Sequence, residues 1–252
     1  MTKDSKFPTE VVELPSKGYF YPKDTPLASG KVEMKYMTAR EEDILTSPNL
    51  LKQGIAIDKL LEALIVDKTI KLDDLLIGDK NALILSARIL GYGGDYEIIY
   101  LDDSVQEQTT TIDLTAINEI EMDFSKFQKG VNSFDFELPV SKRNIVFQLM
   151  TVRIQKMIED YVKSISKLKS ESHSEITSRL KHLILSVDGN SEKTYINNFV
   201  DTEFLAVDSL AFRRHILGIS PDIDMTATVV QPNGDEKEVA VLLTAQFLWP
   251  GV

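Results

Sequence analysis

The sequence contains no cysteine, only three histidines and only one tryptophan. Without cysteine the chain forms neither a disulfide nor a thiolate zinc site, and this composition suits a reducing compartment. The histidines, His173, His182 and His215, lie in separate segments without the i, i+4 spacing of a helical metal site. We therefore predict no bound metal and no cofactor.

Long apolar runs and an excess of positive charge are also missing. No run approaches the ~20 apolar residues that span a bilayer, so the sequence predicts no membrane insertion. The opening residues MTKDSKFPTE have no apolar core and are not expected to be a signal peptide. The formal net charge is −11, which argues against binding to nucleic acid or to an anionic membrane surface, because both need a basic face.

Catalytic and phosphate-binding motifs are absent too. The glycines of Gly91 to Gly94 have the size needed for a phosphate loop, but they follow a predicted helix and no Gly-Lys-Ser/Thr is present. No Gly-x-Ser-x-Gly elbow occurs. The acidic pairs Asp73-Asp74 and Asp102-Asp103 lack EF-hand spacing and are expected to be solvated turns. We predict that the chain is not an enzyme and has no catalytic residues; an acidic hydrolase with a deep pocket is the weaker hypothesis.

A strand followed by a capped helix is the strongest local signal that is present. Lys31 to Met37 alternates between charged and apolar residues, which predicts a half-buried strand. Thr38 and Glu41 have the spacing of a capping box, which stabilises a helix start by roughly 0.5–2 kcal/mol. The acidic residues that follow suit the helix dipole, with partner contact as the alternative. Pro48 ends this helix, and a second helix with an apolar face is predicted over 57–65.

The pattern as a whole predicts an α+β protein: antiparallel β segments with helical insertions, a long amphipathic helix after the central sheet and a C-terminal β-hairpin. We divide the chain into an N-terminal strand and helix region (1–94), a mostly antiparallel β region (95–150) and a helical region ending in a β-hairpin (151–252). Further strands are expected at 11–14, 96–101, 109–114, 120–127, 133–138, 145–149, 225–230 and 238–248. Further helices are expected at 80–90, 151–170, 175–187, 191–200 and 202–217.

Several residues are predicted to bound or decorate these helices. Gly91 is expected to cap the helix at 80–90, while Asp201 and Gly218 are expected to begin and end the last one. Ser170 to Ser174 is predicted to be a hinge. The helix from Thr151 is the most basic part of the chain, and its lysines and arginines fit a solvated face, contact with an acidic protein or, least well, membrane binding.

Two apolar segments are candidates for binding another protein, because aromatic side chains bring large contact area at low entropic cost. The candidate residues are Tyr19, Phe20, Tyr21, Phe247, Leu248 and Trp249. For the first three, a local core is the alternative to a contact surface. The tryptophan either anchors the final strand or inserts into an interface, where such a residue dominates the binding energy.

The first third of the chain resembles a family of tail baseplate proteins of T-even-like, contractile-tailed bacteriophages. The resembling elements are LPSKGYFYP (14–22), GKVEMKYMTAREEDILTSPNLLKQG (30–54), DKLL (58–61), DLLIGDKNALILSARILGYG (74–93) and, more loosely, FDFELPVSKRNIVFQLMT (134–151). Some members of that family carry Cys-x-x-Cys where this chain has Tyr100 to Asp103, so a zinc-bound hairpin is not carried over.

The resemblance implies a non-enzymatic structural component of a phage contractile tail, at or near the baseplate hub. Its partners are then other tail or baseplate proteins in a multi-subunit assembly. Its location is the virion tail, assembled in the cytoplasm of the host bacterium. The alternative role is an assembly chaperone, for example for the tape measure protein, that is absent from the finished virion.

Overall fold

The computed structural model describes residues 8–166, 175–244 and 246–249. The predicted hinge at 170–174, His173 and the end of the long helix beyond residue 166 lie outside the described residues. The strands are β1 (Thr9–Glu13), β2 (Lys31–Lys35), β3 (Asp95–Leu101), β4 (Glu107–Asp113), β5 (Phe134–Glu137), β6 (Asn144–Phe147), β7 (Ile184–Val187), β8 (Thr226–Val230) and β9 (Glu236–Ala240).

The described residues also form eight α-helices. They are α1 (Ala39–Thr46), α2 (Pro48–Gln53), α3 (Ala56–Leu64), α4 (Ile77–Tyr92), α5 (Val152–Ser166), α6 (Glu175–Leu183), α7 (Lys193–Thr202) and α8 (Ala206–Ile219). The pairs β1–β2, β3–β4 and β8–β9 each form a two-stranded antiparallel sheet, and β5, β6 and β7 form a three-stranded antiparallel sheet with β6 in the centre. The α+β class and the C-terminal hairpin are therefore confirmed.

The strand and capped helix predicted around residue 38 are present. The side chains of Val32 and Met34 on β2 are buried, as the alternation predicts. At the start of α1, the backbone N–H of Thr38 donates to the Glu41 carboxylate over 3.0 Å, which completes the capping box. The helix ends before Pro48, which begins α2.

One hydrophobic core joins the three sequence segments. Leu14, Leu61, Ile145, Phe212 and Phe247 belong to the same cluster and are fully or almost fully buried. A smaller cluster under α5 and α6 consists of Ile154, Ile158 and Leu183. Residues 1–94, 95–150 and 151–252 thus supply side chains to a common core in the described part of the chain.

Two predicted helix boundaries at glycine differ in the structure. α4 continues through Gly91 to Tyr92, and Gly93, with φ of +85°, is the residue that ends it. A Cβ on Gly91 would lie 2.8 Å from the methyl carbon of Met37, so this glycine serves packing rather than capping. Gly218 likewise lies inside α8, one residue before its end.

Three other predictions of secondary structure were wrong. Residues 184–187 form β7 instead of extending α6, because Ile184 and Val187 become buried when the segment pairs with β6. The segment 120–127 contains no named strand; its short 3-10 turn at Phe124–Lys126 is capped by the Asp123 carboxylate. Asp201 lies within α7 instead of capping the next helix.

Candidate functional site

A buried hydrogen-bond network joins the loop after β1 to the first turn of α4. The Asp79 carboxylate accepts the backbone N–H of Ser16 over 2.9 Å and the Ser16 hydroxyl over 2.7 Å. It also accepts the Tyr21 hydroxyl over 2.5 Å. The Tyr21 oxygen in turn accepts the backbone N–H of Leu76 over 2.8 Å. Asp79 and Ser16 have no exposed surface, so the network holds the fold and does not reach a solvent-borne ligand.

Among the residues that the structure describes, no basic side chain neutralises this carboxylate. Burial raises the pKa of Asp79, whereas the hydrogen bonds from Tyr21 and Ser16 act in the opposite direction. Burial and the neighbouring carboxylate also raise the pKa of Tyr21 well above its ordinary value. Three donors from LPSKGYFYP therefore converge on one acceptor in α4, an arrangement that periodicity alone does not reveal.

Ion pairs attach the basic helix α5 to acidic residues of the same chain. Asp58 on α3 binds the ammonium groups of Lys80 over 2.6 Å and Lys156 over 2.9 Å, and Lys156 also binds Asp73 over 2.7 Å. Arg153 pairs with Asp74. Burial raises the pKa of Asp58, but the two lysines outweigh this effect and hold the pKa below its usual range. Contact with an acidic protein was one alternative predicted for this basic helix. For Lys156 and Arg153, the acidic partners belong to the same chain.

The first predicted protein-binding segment lies mainly in the core. Phe20 is 2% exposed and packs against the rings of Phe127 and Phe134, with centroids 5.6 and 5.3 Å away. Tyr21 is buried in the Asp79 network. The local-core alternative therefore describes these two residues, and the contact-surface interpretation is corrected, because burying both rings inside the chain leaves them no face for another protein. Tyr19 is half-buried, and its protein-binding role stays a prediction.

The second predicted segment is also packed inward. Phe247 and Leu248 are fully buried, and the Phe247 ring lies 5.0 Å from that of Tyr96 on β3. These residues lie in a turn rather than in the predicted long final strand, since β9 ends at Ala240. Trp249 is partly buried against the core. It thus has the anchoring contacts of one alternative, and its role in an interface stays a prediction.

An apolar groove of about 680 Å³ lies between α5, α6 and α8 and reaches the start of α4. Ile158, Leu180 and Leu183 form a buried floor. Ile176 and Leu217 at its margin are 44% and 77% exposed. The sequence does not predict this groove, because each helix alone shows only an ordinary apolar stripe and the groove arises from the spacing between the helices.

The described histidines serve packing. The ring of His215 stacks on Phe136, with centroids 4.5 Å apart, and meets the edge of Phe147. The His182 ring lies 5.8 Å from that of Tyr161, and its Nδ1 is 2.8 Å from the Ser178 carbonyl oxygen. Within residues 8–166, 175–244 and 246–249, no three histidine, aspartate or glutamate side chains gather in a metal-binding arrangement.

None of the helices in the described ranges is both long and apolar enough to cross a bilayer.

Comparison with other proteins adds no assignment to these features. No family model, no curated protein and no solved structure matches the chain.

Proposed function

We propose that this chain is a structural component of a phage contractile tail, at or near the baseplate hub, and that it acts through contacts with other tail proteins. The main observation that supports this proposal is that two of the segments resembling the family meet in the core. Ser16 and Tyr21 of LPSKGYFYP bind Asp79 of DLLIGDKNALILSARILGYG in the core. Two of the segments that carry the resemblance are therefore joined in the core, which supports a shared architecture over a chance likeness of short motifs.

The surface also suits a role in binding proteins. Large aliphatic side chains stand exposed on separate elements, among them Ile99 on β3, Leu217 on α8 and Leu242 after β9, which are 69%, 77% and 70% exposed. Such side chains gain free energy when another protein covers them, at about 25 cal/mol for each Å² of apolar surface removed from water. A permanent subunit covers these positions in the assembled particle.

The second candidate function is an assembly chaperone, and the groove between α5, α6 and α8 favours it. Its apolar floor and exposed margin suit the binding of an apolar segment of a client protein. A chaperone of this kind releases the client when the tail is complete, so the protein is then missing from mature particles.

Quantitative mass spectrometry of purified particles from the virus whose genome encodes this chain tests both functions. A fixed copy number relative to known baseplate proteins supports the structural role. Absence from particles, with recovery in tail intermediates from infected cells, supports the chaperone. Absence from both fractions overturns the proposal, and so does turnover of a substrate by the pure protein.

A further inference from the structure

The β3–β4 hairpin is acidic throughout. Residues 95–113 contain six acidic residues and no lysine or arginine: Asp95, Glu97, Asp102, Asp103, Glu107 and Asp113. Asp103 pairs with Lys237 on β9 over 2.9 Å, and Asp102 and Asp113 cap turns within the hairpin region. In the described ranges Asp95, Glu97 and Glu107 form no ion pair. Three carboxylates of the hairpin are thus available to a cation from outside.

The outward face of this hairpin places aliphatic side chains among those carboxylates. Ile98 and Tyr100 point into the core and are 8% and 7% exposed. The intervening residues Ile99 and Leu101 are 69% and 52% exposed. Leu101 lies opposite Glu107 in the strand register. Because alternate residues of a strand share a face, Glu97, Ile99 and Leu101 form one outward row, with acid beside apolar surface.

One edge of β3 has no neighbouring strand among the described residues. The hydrogen bonds from Leu114 N–H to Gly94 O and from Asp102 N–H to Gln106 O fix which residues of β3 face β4. Since such pairs alternate along an antiparallel ladder, the odd-numbered residues of β3 direct their N–H and C=O groups away from β4. The Arg88 guanidinium donates a hydrogen bond to the carbonyl oxygen of Asp95. No backbone group of the described chain pairs with those of Glu97, Ile99 and Leu101 outside the hairpin.

We propose that the edge and outward face of β3 bind an extended basic segment of another protein, in which lysine or arginine alternates with aliphatic residues. Added as a strand, such a segment supplies backbone hydrogen bonds to Glu97, Ile99 and Leu101. Because alternate residues of a strand share a face, the cations of the segment form one row on the outward face. Their charged ends lie against the carboxylates and their apolar stems cover Ile99 and Leu101. Its aliphatic residues point to the side on which Ile98 and Tyr100 are buried. The phosphates of nucleic acids and of anionic lipids are repelled by the same carboxylates, so a protein is the fitting partner.

This inference rests on the proposed function only in taking the partner to be a protein. It is tested with the isolated full chain and the synthetic peptide KVKVKVK, followed by amide NMR of the isotope-labelled protein. We expect shifts concentrated at 95–101 and slower hydrogen exchange at Glu97, Ile99 and Leu101. The acidic peptide EVEVEVE, which has the same alternation, is expected to leave these amides unchanged.

Matched variants separate this site from general attraction to an acidic protein. Glu97→Gln together with Glu107→Gln should weaken peptide binding roughly threefold to tenfold, as expected for losing two exposed charge contacts. Ile99→Ser together with Leu101→Ser should weaken it to a similar extent at high salt, where charge is screened. The controls Glu192→Gln and Leu217→Ser change an exposed acid before α7 and an exposed leucine on α8. They should leave the affinity within about twofold of the parent, because neither residue lies on the hairpin or next to a residue that pairs with its acids.

Three results would overturn the proposal. The first is a lack of change at 97–101, and the second is equal weakening by control and test variants. The third is self-association of the free chain, measured by sedimentation, that Ile99→Ser and Leu101→Ser abolish, because the occupant is then a second copy. The peptide result is independent of the particle: absence of the chain from virions overturns the tail assignment and leaves this binding site standing.

Discussion

Replacing Asp79 by alanine tests the buried network directly, because one carboxylate satisfies three donors there. The substitution leaves the backbone N–H of Ser16 without an acceptor and removes the acceptor of the Ser16 and Tyr21 hydroxyls. A buried donor without a partner costs about 1–3 kcal/mol. The hydroxyls can rotate towards other acceptors, and removing a charge from the core offsets part of the loss. We expect a net destabilisation of about 3–5 kcal/mol.

Asp79→Asn provides the intermediate case. The amide oxygen still accepts one donor, but the amide nitrogen faces groups that themselves donate, so we expect a loss of about 1–3 kcal/mol. This variant keeps the measurement possible if Asp79→Ala no longer folds, since a whole domain is stable by only about 5–15 kcal/mol. The free energy of unfolding is obtained from urea titrations followed by circular dichroism.

Asp113 offers a matched control on the surface. Its carboxylate also accepts a backbone N–H and a hydroxyl, both from Thr115, over 2.8 and 2.6 Å, but it is exposed. Water replaces the lost acceptor there, so Asp113→Ala should cost about 1 kcal/mol. If Asp79→Ala and Asp113→Ala destabilise the protein equally, the network does not have the stabilising role that its burial implies.

Three further predictions test other parts of the fold by the same unfolding measurement. Gly78→Ala should cost about 3 kcal/mol or more, because its Cβ would lie 1.9 Å from the Pro221 carbonyl oxygen. In the control Gly218→Ala a Cβ meets nothing within 4 Å, so this variant should be neutral or stabilising, and equal effects of the two variants would contradict this packing. Burial lowers the pKa of His215, so its contribution to stability is complete above the unfolded pKa of about 6.5 and is lost as the pH falls through the lower folded pKa. Replacing His215 by leucine should reduce the pH dependence of the unfolding free energy between about pH 7 and 5, and an unchanged dependence would refute this assignment. The lysines lower the pKa of Asp58, so its contribution to stability is present above about pH 4 and is lost on further acidification. Asp58→Asn should reduce the loss of stability in this acidic range, and an unchanged loss would show that the ion pairs do not stabilise the fold.

Features that depend on neighbouring residues were predicted well from the sequence. The capping box needs only Thr38 and Glu41, three positions apart, and both partners are in place. The strands predicted at 96–101 and 109–114 correspond closely to β3 and β4. In such cases the interacting groups are fixed by local backbone geometry, so one sequence suffices.

Features that depend on distant residues were not predicted. In the buried network, Asp79 lies 58 residues from Tyr21 and 63 residues from Ser16 in the sequence. No local pattern indicates that this aspartate is buried. Ile98 and Ile99 are adjacent and chemically alike, so only packing against the rest of the chain decides which one faces solvent. The strand β7 resembles a helix end locally, and its identity is decided by pairing with β6.

The contact between Phe247 and Tyr96 has a consequence for biosynthesis. One ring is supplied about 150 positions later in the chain than the other, as their numbers show. During translation, at about 5–20 residues per second, the hairpin at 95–113 waits many seconds for the side chain that completes its inner face. Until residue 247 has left the ribosome, that face stays accessible to chaperones of the cell.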